Sequence, residues 1–151
     1  MLTTLLATIG LAGISQKNNT TVPPIEKQIT VATFDHLTID GNFKLTLVEN
    51  DEPAISVKGS PRFVDAFKIQ QNQKQLKVSS LHDEQPASNE VTINVKNLKT
   101  LVVRNEGLTN SKGVLQSENL DILLDAECIV KVFNRGKTKI RASDNFELLY
   151  F

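Results

Sequence analysis

Five cations fall within residues 131–141: Lys131, Arg135, Lys137, Lys139 and Arg141. The last three alternate, and alternate residues of a β-strand share a face. Lys137, Lys139 and Arg141 therefore form a basic stripe, with Asn134-Arg135-Gly136-Lys137 as the adjoining turn. Such a stripe attracts carboxylate, sulfate or phosphate groups, as on an anionic glycan or a lipid head group. Arg135, Lys137, Lys139 and Arg141 are the candidate ligand contacts. The same charges also have a plainer use, since a charged edge strand resists unwanted strand pairing.

Other residue types allow catalysis to be weighed. Asp121 and Asp125 lie four apart, roughly 13 Å along a strand, which is too far for a glycosidase pair. Asp125 and Glu127 are about 7 Å apart on the same measure, within the inverting range. The chain has no Trp, and its one Tyr is Tyr150, so the aromatic platforms common in sugar clefts are scarce. A solubilising polar face explains these carboxylates more simply. There are two histidines, His36 and His82. His82-Asp83-Glu84 supplies three potential ligands but reads as a solvated loop. Ser79, Ser80 and Ser143 lack the elbow motif and orienting acid of a nucleophilic serine. The residues point to no enzyme, no metal and no cofactor.

Composition narrows the partner. Seventeen Lys+Arg balance 17 Asp+Glu, without the basic excess of a nucleic-acid binder. At 151 residues one domain is expected. The single cysteine forms no internal disulfide. Residues 1–16 contain no charged side chain. Leu2, Leu5, Leu6, Ile9 and Leu11 are too short a run to span a bilayer, and small residues follow. This is the pattern of a secretory signal peptide, so an exported protein, periplasmic or extracellular, is expected. Leu11-Ala12-Gly13 resembles a lipobox, but Ile14 stands where the lipidated Cys belongs, so no lipid anchor is expected. Residues 17–32 read as a polar linker of unpaired backbone around Pro23-Pro24. Residues 33–151 form the domain.

Those elements are β from end to end. Leu37 and Ile39 precede the turn dipeptide Asp40-Gly41, and Phe43, Leu45 and Leu47 alternate with polar residues. Ile55 and Val57 continue the pattern after Asn50-Asp51-Glu52-Pro53. This predicts a hairpin or meander. One short helix is predicted near 61–69, with Ser60 as N-cap and Pro61 at the first position. Gln70–Gln73 reads as a turn, and Leu76 with Val78, then Val91, Ile93 and Val95, read as strands.

From Asn97 an internal repeat emerges. Asn97-Leu98-Lys99-Thr100-Leu101 aligns with Asn119-Leu120-Asp121-Ile122-Leu123, 22 residues on, and again with Asn145-Phe146 after 26 more. A period of this length in β sequence predicts a β-solenoid of stacked short strands. Leu120, Ile122, Leu124, Ala126, Cys128, Val130 and Val132 alternate, which makes Cys128 a small core residue. Phe146, Leu148, Leu149, Tyr150 and Phe151 predict an apolar C-terminal strand through which copies would self-associate.

The order F-x-x-L-x-I-D-G-N-F-x-L-x-L, I-x-V-x-G, a short helix, L-x-V, V-x-I-x-V, N-L-x-x-L-V-V and N-L-D-I-L-L resembles the head GIN domain family of putative auto-transporter adhesins, a domain of unknown function. The resemblance covers about Thr33 to Phe151. It implies an exported β-solenoid, adhesion to an envelope or extracellular ligand, and no catalytic residues. The family's Gly-Ser-Gly-like turns are replaced here by Asn105-Glu106-Gly107 and by Asp125-Ala126-Glu127-Cys128. Asn105 can adopt a glycine's left-handed backbone more readily than most residues, whereas Ala126 and Cys128 cannot do so cheaply, and a locally different turn is expected near 125–128. The function implied is a non-catalytic binding module, with a structural, self-assembling envelope protein as the alternative and a glycan-active enzyme behind both.

Overall fold

The computed structural model describes residues 22–80 and 88–143. Among these are twelve strands and one helix: β1 (Ile25–Thr30), β2 (His36–Gly41), β3 (Lys44–Glu49), β4 (Ala54–Gly59), α1 (Pro61–Ala66), β5 (Lys68–Asn72), β6 (Gln75–Ser79), β7 (Glu90–Val95), β8 (Thr100–Asn105), β9 (Leu108–Leu115), β10 (Asn119–Leu124), β11 (Ile129–Asn134) and β12 (Lys137–Ala142). The fold is all-β. Sheet I has the order β1-β4-β7-β3-β9-β11, and sheet II the order β12-β10-β8-β2-β6-β5. Both are mixed, and neither closes among the described residues.

From β6 onward successive strands alternate between the sheets. Those of them that meet one another within a sheet are parallel: β8 with β10 and β10 with β12 in sheet II, β9 with β11 in sheet I. The earlier pair β2 and β3 is inserted, with β2 between β6 and β8, and β3 between β7 and β9.

Period-2 alternation turns this register into columns of like residues. Leu76, Leu37, Leu101, Ile122 and Ile140 line up across sheet II, with Val78, Ile39, Val103, Leu124 and Ala142 beside them. In sheet I, Ile93 lies between Ile55 and Leu47, and Val91 between Val57 and Leu45. Residues from both sheets form one buried core.

The predicted hairpin through Asp40-Gly41 does not form, because β2 and β3 belong to different sheets. Gly41 has φ +149°, and a Cβ there would lie 2.3 Å from Ser80 Oγ. The dipeptide marks a corner, at which Phe43 enters the core fully buried. The helix starts as expected: Ser60 Oγ accepts the Phe63 N–H at 3.1 Å and Pro61 opens the first turn. It ends at Ala66 rather than 69. Ile69 is drawn into antiparallel pairing with Val78, and tertiary pairing outweighs local spacing.

Part of the expected unpaired linker is also a strand. Ile25–Thr30 pairs antiparallel with β4, satisfying an edge that would otherwise be bare. The repeat is shorter than the sequence alignment implies. Thr100 pairs with Asp121, a step of 21, and Asn119 with Lys137, a step of 18. Leu98 and Leu120 are both buried, but an extra residue separates Leu98 from Leu101, so the shared Asn-Leu start overstates the first period. The strand stacked on β10 is Lys137–Ala142, and the predicted repeat at Asn145 lies outside the described residues. So do the leader, the loop with His82 and the apolar C-terminal strand. Cys128 is half-buried against the core rather than enclosed, because 125–128 is the corner between β10 and β11 and not a continuous strand.

Candidate functional site

The basic stripe lies on β12, the end strand of sheet II among the described residues. Lys137, Lys139 and Arg141 sit opposite Asn119, Asp121 and Leu123 of β10, and all three are exposed. Arg135 occupies the preceding turn, also exposed. The four predicted residues therefore share one corner and one edge. Arg141 is committed to a neighbour: its Nε meets Asp121 Oδ1 at 3.1 Å, and its Nη2 meets Oδ2 at 2.6 Å. This two-point fork fixes the guanidinium. Arg135, Lys137 and Lys139 make no ion pair among the described residues.

The turn carrying Arg135 is fastened by Asn134. Its side chain accepts the Ser117 N–H at 3.1 Å and donates to the Ser117 carbonyl at 3.0 Å. Gly136 comes so close that a Cβ would lie 2.2 Å from the same carbonyl. Asn105 and Gly107 repeat this arrangement at the corner after β8. Asn105 accepts the Phe43 N–H at 3.0 Å and donates to the Phe43 carbonyl at 2.8 Å. A Cβ on Gly107 would lie 2.3 Å from that carbonyl. Asn105 does not use the left-handed backbone open to it; among the described non-glycine residues, Gln73 and Asn97 do. The N-x-G motif thus works by clamping and close approach. Its recurrence at 105–107 and 134–136 was the available sequence signal.

Beside the stripe lies an open groove of about 810 Å³. Lys99, Lys137 and Lys139 line it with Gln116, Asn119 and Thr138, and Glu118 and Asp121 also reach it. Leu98 and Leu120 form its buried floor. Lys99 is a member that the sequence reading did not single out, because β8 and β12 are brought together only through β10.

Elsewhere on sheet II several charges are paired. Lys77 meets Asp40 at 3.5 Å and Arg104 meets Asp125 at 2.8 Å. Asp35 meets His36 Nδ1 at 2.6 Å and Lys99 at 3.0 Å. The hydrogen bond from His36, then that from Lys99, holds the Asp35 carboxyl below its ordinary value. Asp125 is lowered first by the Ser143 hydroxyl and then by Arg104. A general acid needs the opposite shift. Asp125 is therefore held anionic, and Glu127 stands exposed in the corner. Ser143 Oγ donates to Asp125 at 2.8 Å. Ser79 ends β6 and Ser80 follows it, whereas His36 opens β2 against Asp35. The three serines are not brought to a histidine among the described residues. Nor is any group of three or more His, Cys, Asp or Glu placed there to hold a metal ion.

Comparison with known folds gives the same architecture in longer proteins. A putative adhesin from Parabacteroides merdae superposes with TM-score 0.67 at 20% identity, over 81% of this chain and 53% of that one. A putative adhesin from Bacteroides fragilis gives 0.60 at 15%, over 78% and 61%. A putative lipid binding protein from Parabacteroides distasonis gives 0.56 at 16%, over 81% and 61%. The chain thus spans just over half the length of these structures. No curated protein matches it. The family model described as putative auto-transporter adhesin, head GIN domain, matches residues 33–148, and the chain belongs to that family.

Proposed function

We propose that this chain is a non-catalytic β-solenoid module of an exported protein, binding an anionic ligand at the cell envelope or outside the cell through Arg135, Lys137, Lys139 and Arg141. Family membership supports an adhesin-type role. The alternation of parallel strands between two sheets supports the solenoid reading. The uncharged leader supports export without lipidation. The observation that carries the binding reading is the imbalance at one edge. Carboxylates such as Asp35, Asp40, Asp121 and Asp125 are each paired with a cation, while Arg135, Lys137 and Lys139 remain exposed without a carboxylate partner among the described residues. An anionic glycan is the first partner to try, and nucleic acid is not expected.

An array of uronate-containing and sulfated polysaccharides tests this directly. Wild-type protein should be retained in a salt-sensitive way, and the Lys137→Glu/Lys139→Glu variant should lose about tenfold in affinity. Equal retention of the two proteins would remove the basic edge from the function. A self-assembling role is the second reading, favoured by Ile129 and Phe133, which are 61% and 64% exposed on β11. Sedimentation showing one monomeric species at high concentration would dismiss it.

A further inference from the structure

We propose that the outward face of β9 and β11 is a membrane-contact surface, on which Val114, Ile129 and Phe133 enter the headgroup boundary of an anionic bilayer while Lys112 and Lys131 meet its phosphates. This face belongs to sheet I and is separate from the basic edge of sheet II.

A bulge builds the patch. Asn110 pairs with Lys131 and Val114 with Phe133, so three residues of β9 oppose Val132 alone. Ser111 Oγ accepts the Phe133 N–H at 2.9 Å and donates to the Gly113 carbonyl at 2.9 Å. Gly113 takes φ +83°. The irregularity is thus hydrogen-bonded in place, and bulges re-aim side chains. Here Val114, 52% exposed, is set beside Phe133, 64% exposed, while Ile129, 61% exposed, opens the same strand face. Strand alternation turns Val130 and Val132 the other way, against the core.

Charge selects the occupant. Neither β9 nor β11 contains an acidic residue. Lys112 and Lys131 are exposed and make no ion pair among the described residues. Elsewhere in sheet I the carboxylates of Glu26, Glu49 and Glu90 are held by the Ser56 hydroxyl, the Gln116 N–H and Lys44. Asp125 and Glu127 lie in the corner before β11, on the rim. Apolar side chains set between unpaired lysines suit an anionic lipid surface, where buried apolar area and headgroup attraction add. A second copy of this face would bring lysine against lysine, and a glycan would leave the apolar residues unmatched. The face is independent of what stacks on the end strands. β9 lies between β3 and β11, and a strand beside β11 would continue the sheet in its own plane, lengthening the face instead of roofing it.

The test uses the full chain with vesicles of phosphatidylcholine alone or in equal mixture with phosphatidylglycerol. The chain has no Trp, so Phe133→Trp supplies a single fluorescent reporter. Its emission should be that of exposed indole in the free protein and should shift to the blue with the anionic vesicles. In flotation, wild type should bind those vesicles and Lys112→Gln/Lys131→Gln about thirtyfold more weakly. Val114→Ser/Phe133→Ser should lose about tenfold or more. Lys137→Gln/Lys139→Gln should lose less than either. Blue emission before vesicles are added would show the face already covered and overturn the proposal, as would a dimer that Phe133→Ser dissolves. Failure to bind anionic vesicles, or binding that the face substitutions leave unchanged, would overturn it as well. Vesicle binding lost only in Lys137→Gln/Lys139→Gln would assign the lipid to the basic edge, sinking this inference and leaving that reading in place.

Discussion

A buried side chain with two opposite hydrogen-bonding duties is hard to replace. Asn105 is fully buried and satisfies both the N–H and the carbonyl of Phe43. Alanine would leave both groups without partners in a place water does not reach, and each unmet buried group costs about 1–3 kcal/mol. Asn105→Ala is expected to cost about 2–4 kcal/mol in urea unfolding. Asn134→Ala, which removes the same clamp from the partly buried Ser117 turn, should cost about 1 kcal/mol, because water replaces it there. Equal losses for the two variants would contradict burial as the source of the difference. Residue identity alone does not carry this information. An Asn after a strand reads as a turn former, and only the neighbouring corner shows what its amide holds.

At the scale of elements, most strands were legible and their partners were not, and β1 and β5 read as linker and turn until their partners drew them into the sheets. The alternation of Leu45 with Leu47, or of Val91, Ile93 and Val95, follows directly from burying one face of a strand. Assignment to a sheet depends on contacts far along the chain, so Asp40-Gly41 looks like a hairpin turn whether the chain folds back or crosses to the other sheet. The basic stripe was legible because it lies within one strand. Lys99 joins it only through stacking. That stacking has an electrostatic fastening at the start of β2. The Asp35 carbonyl accepts the N–H groups of Lys99 and Thr100 at 2.8 and 3.1 Å, while its carboxylate holds His36 and Lys99. The folded carboxyl lies below its ordinary value, so the pair stabilises the fold above the unfolded-state value. That contribution is lost as pH falls through the depressed folded value. Acid titration of stability, below about pH 4, should fall less steeply in Asp35→Asn than in wild type. Identical acid slopes would show that the pair contributes nothing.

At the scale of the whole molecule, the described strands form a stack with two unlike ends. At one, β1 and β4 run antiparallel, β5 folds back on β6, and Phe43, Phe63 and Phe67 meet with ring centroids 5.8–6.0 Å apart. At the other, β11 and β12 each have one described lateral partner. Their inward residues Val130, Val132, Ile140 and Ala142 are only half-buried, whereas those of β2 and β3 are fully buried. Stacked strands depend mainly on their immediate neighbours, so opening an end strand sacrifices one interface, and opening a central strand sacrifices two. Native-state hydrogen exchange should therefore report a gradient. The β10-bonded amides of β12 should open at about 2 kcal/mol or less, and those of β2, β3 and β7 only near the global value of about 5–15 kcal/mol. Ile140→Ala should lower protection in β12 and β11 alone, while Leu37→Ala should lower it throughout. One shared opening free energy for every strand would show that the sheets open as a single cooperative unit.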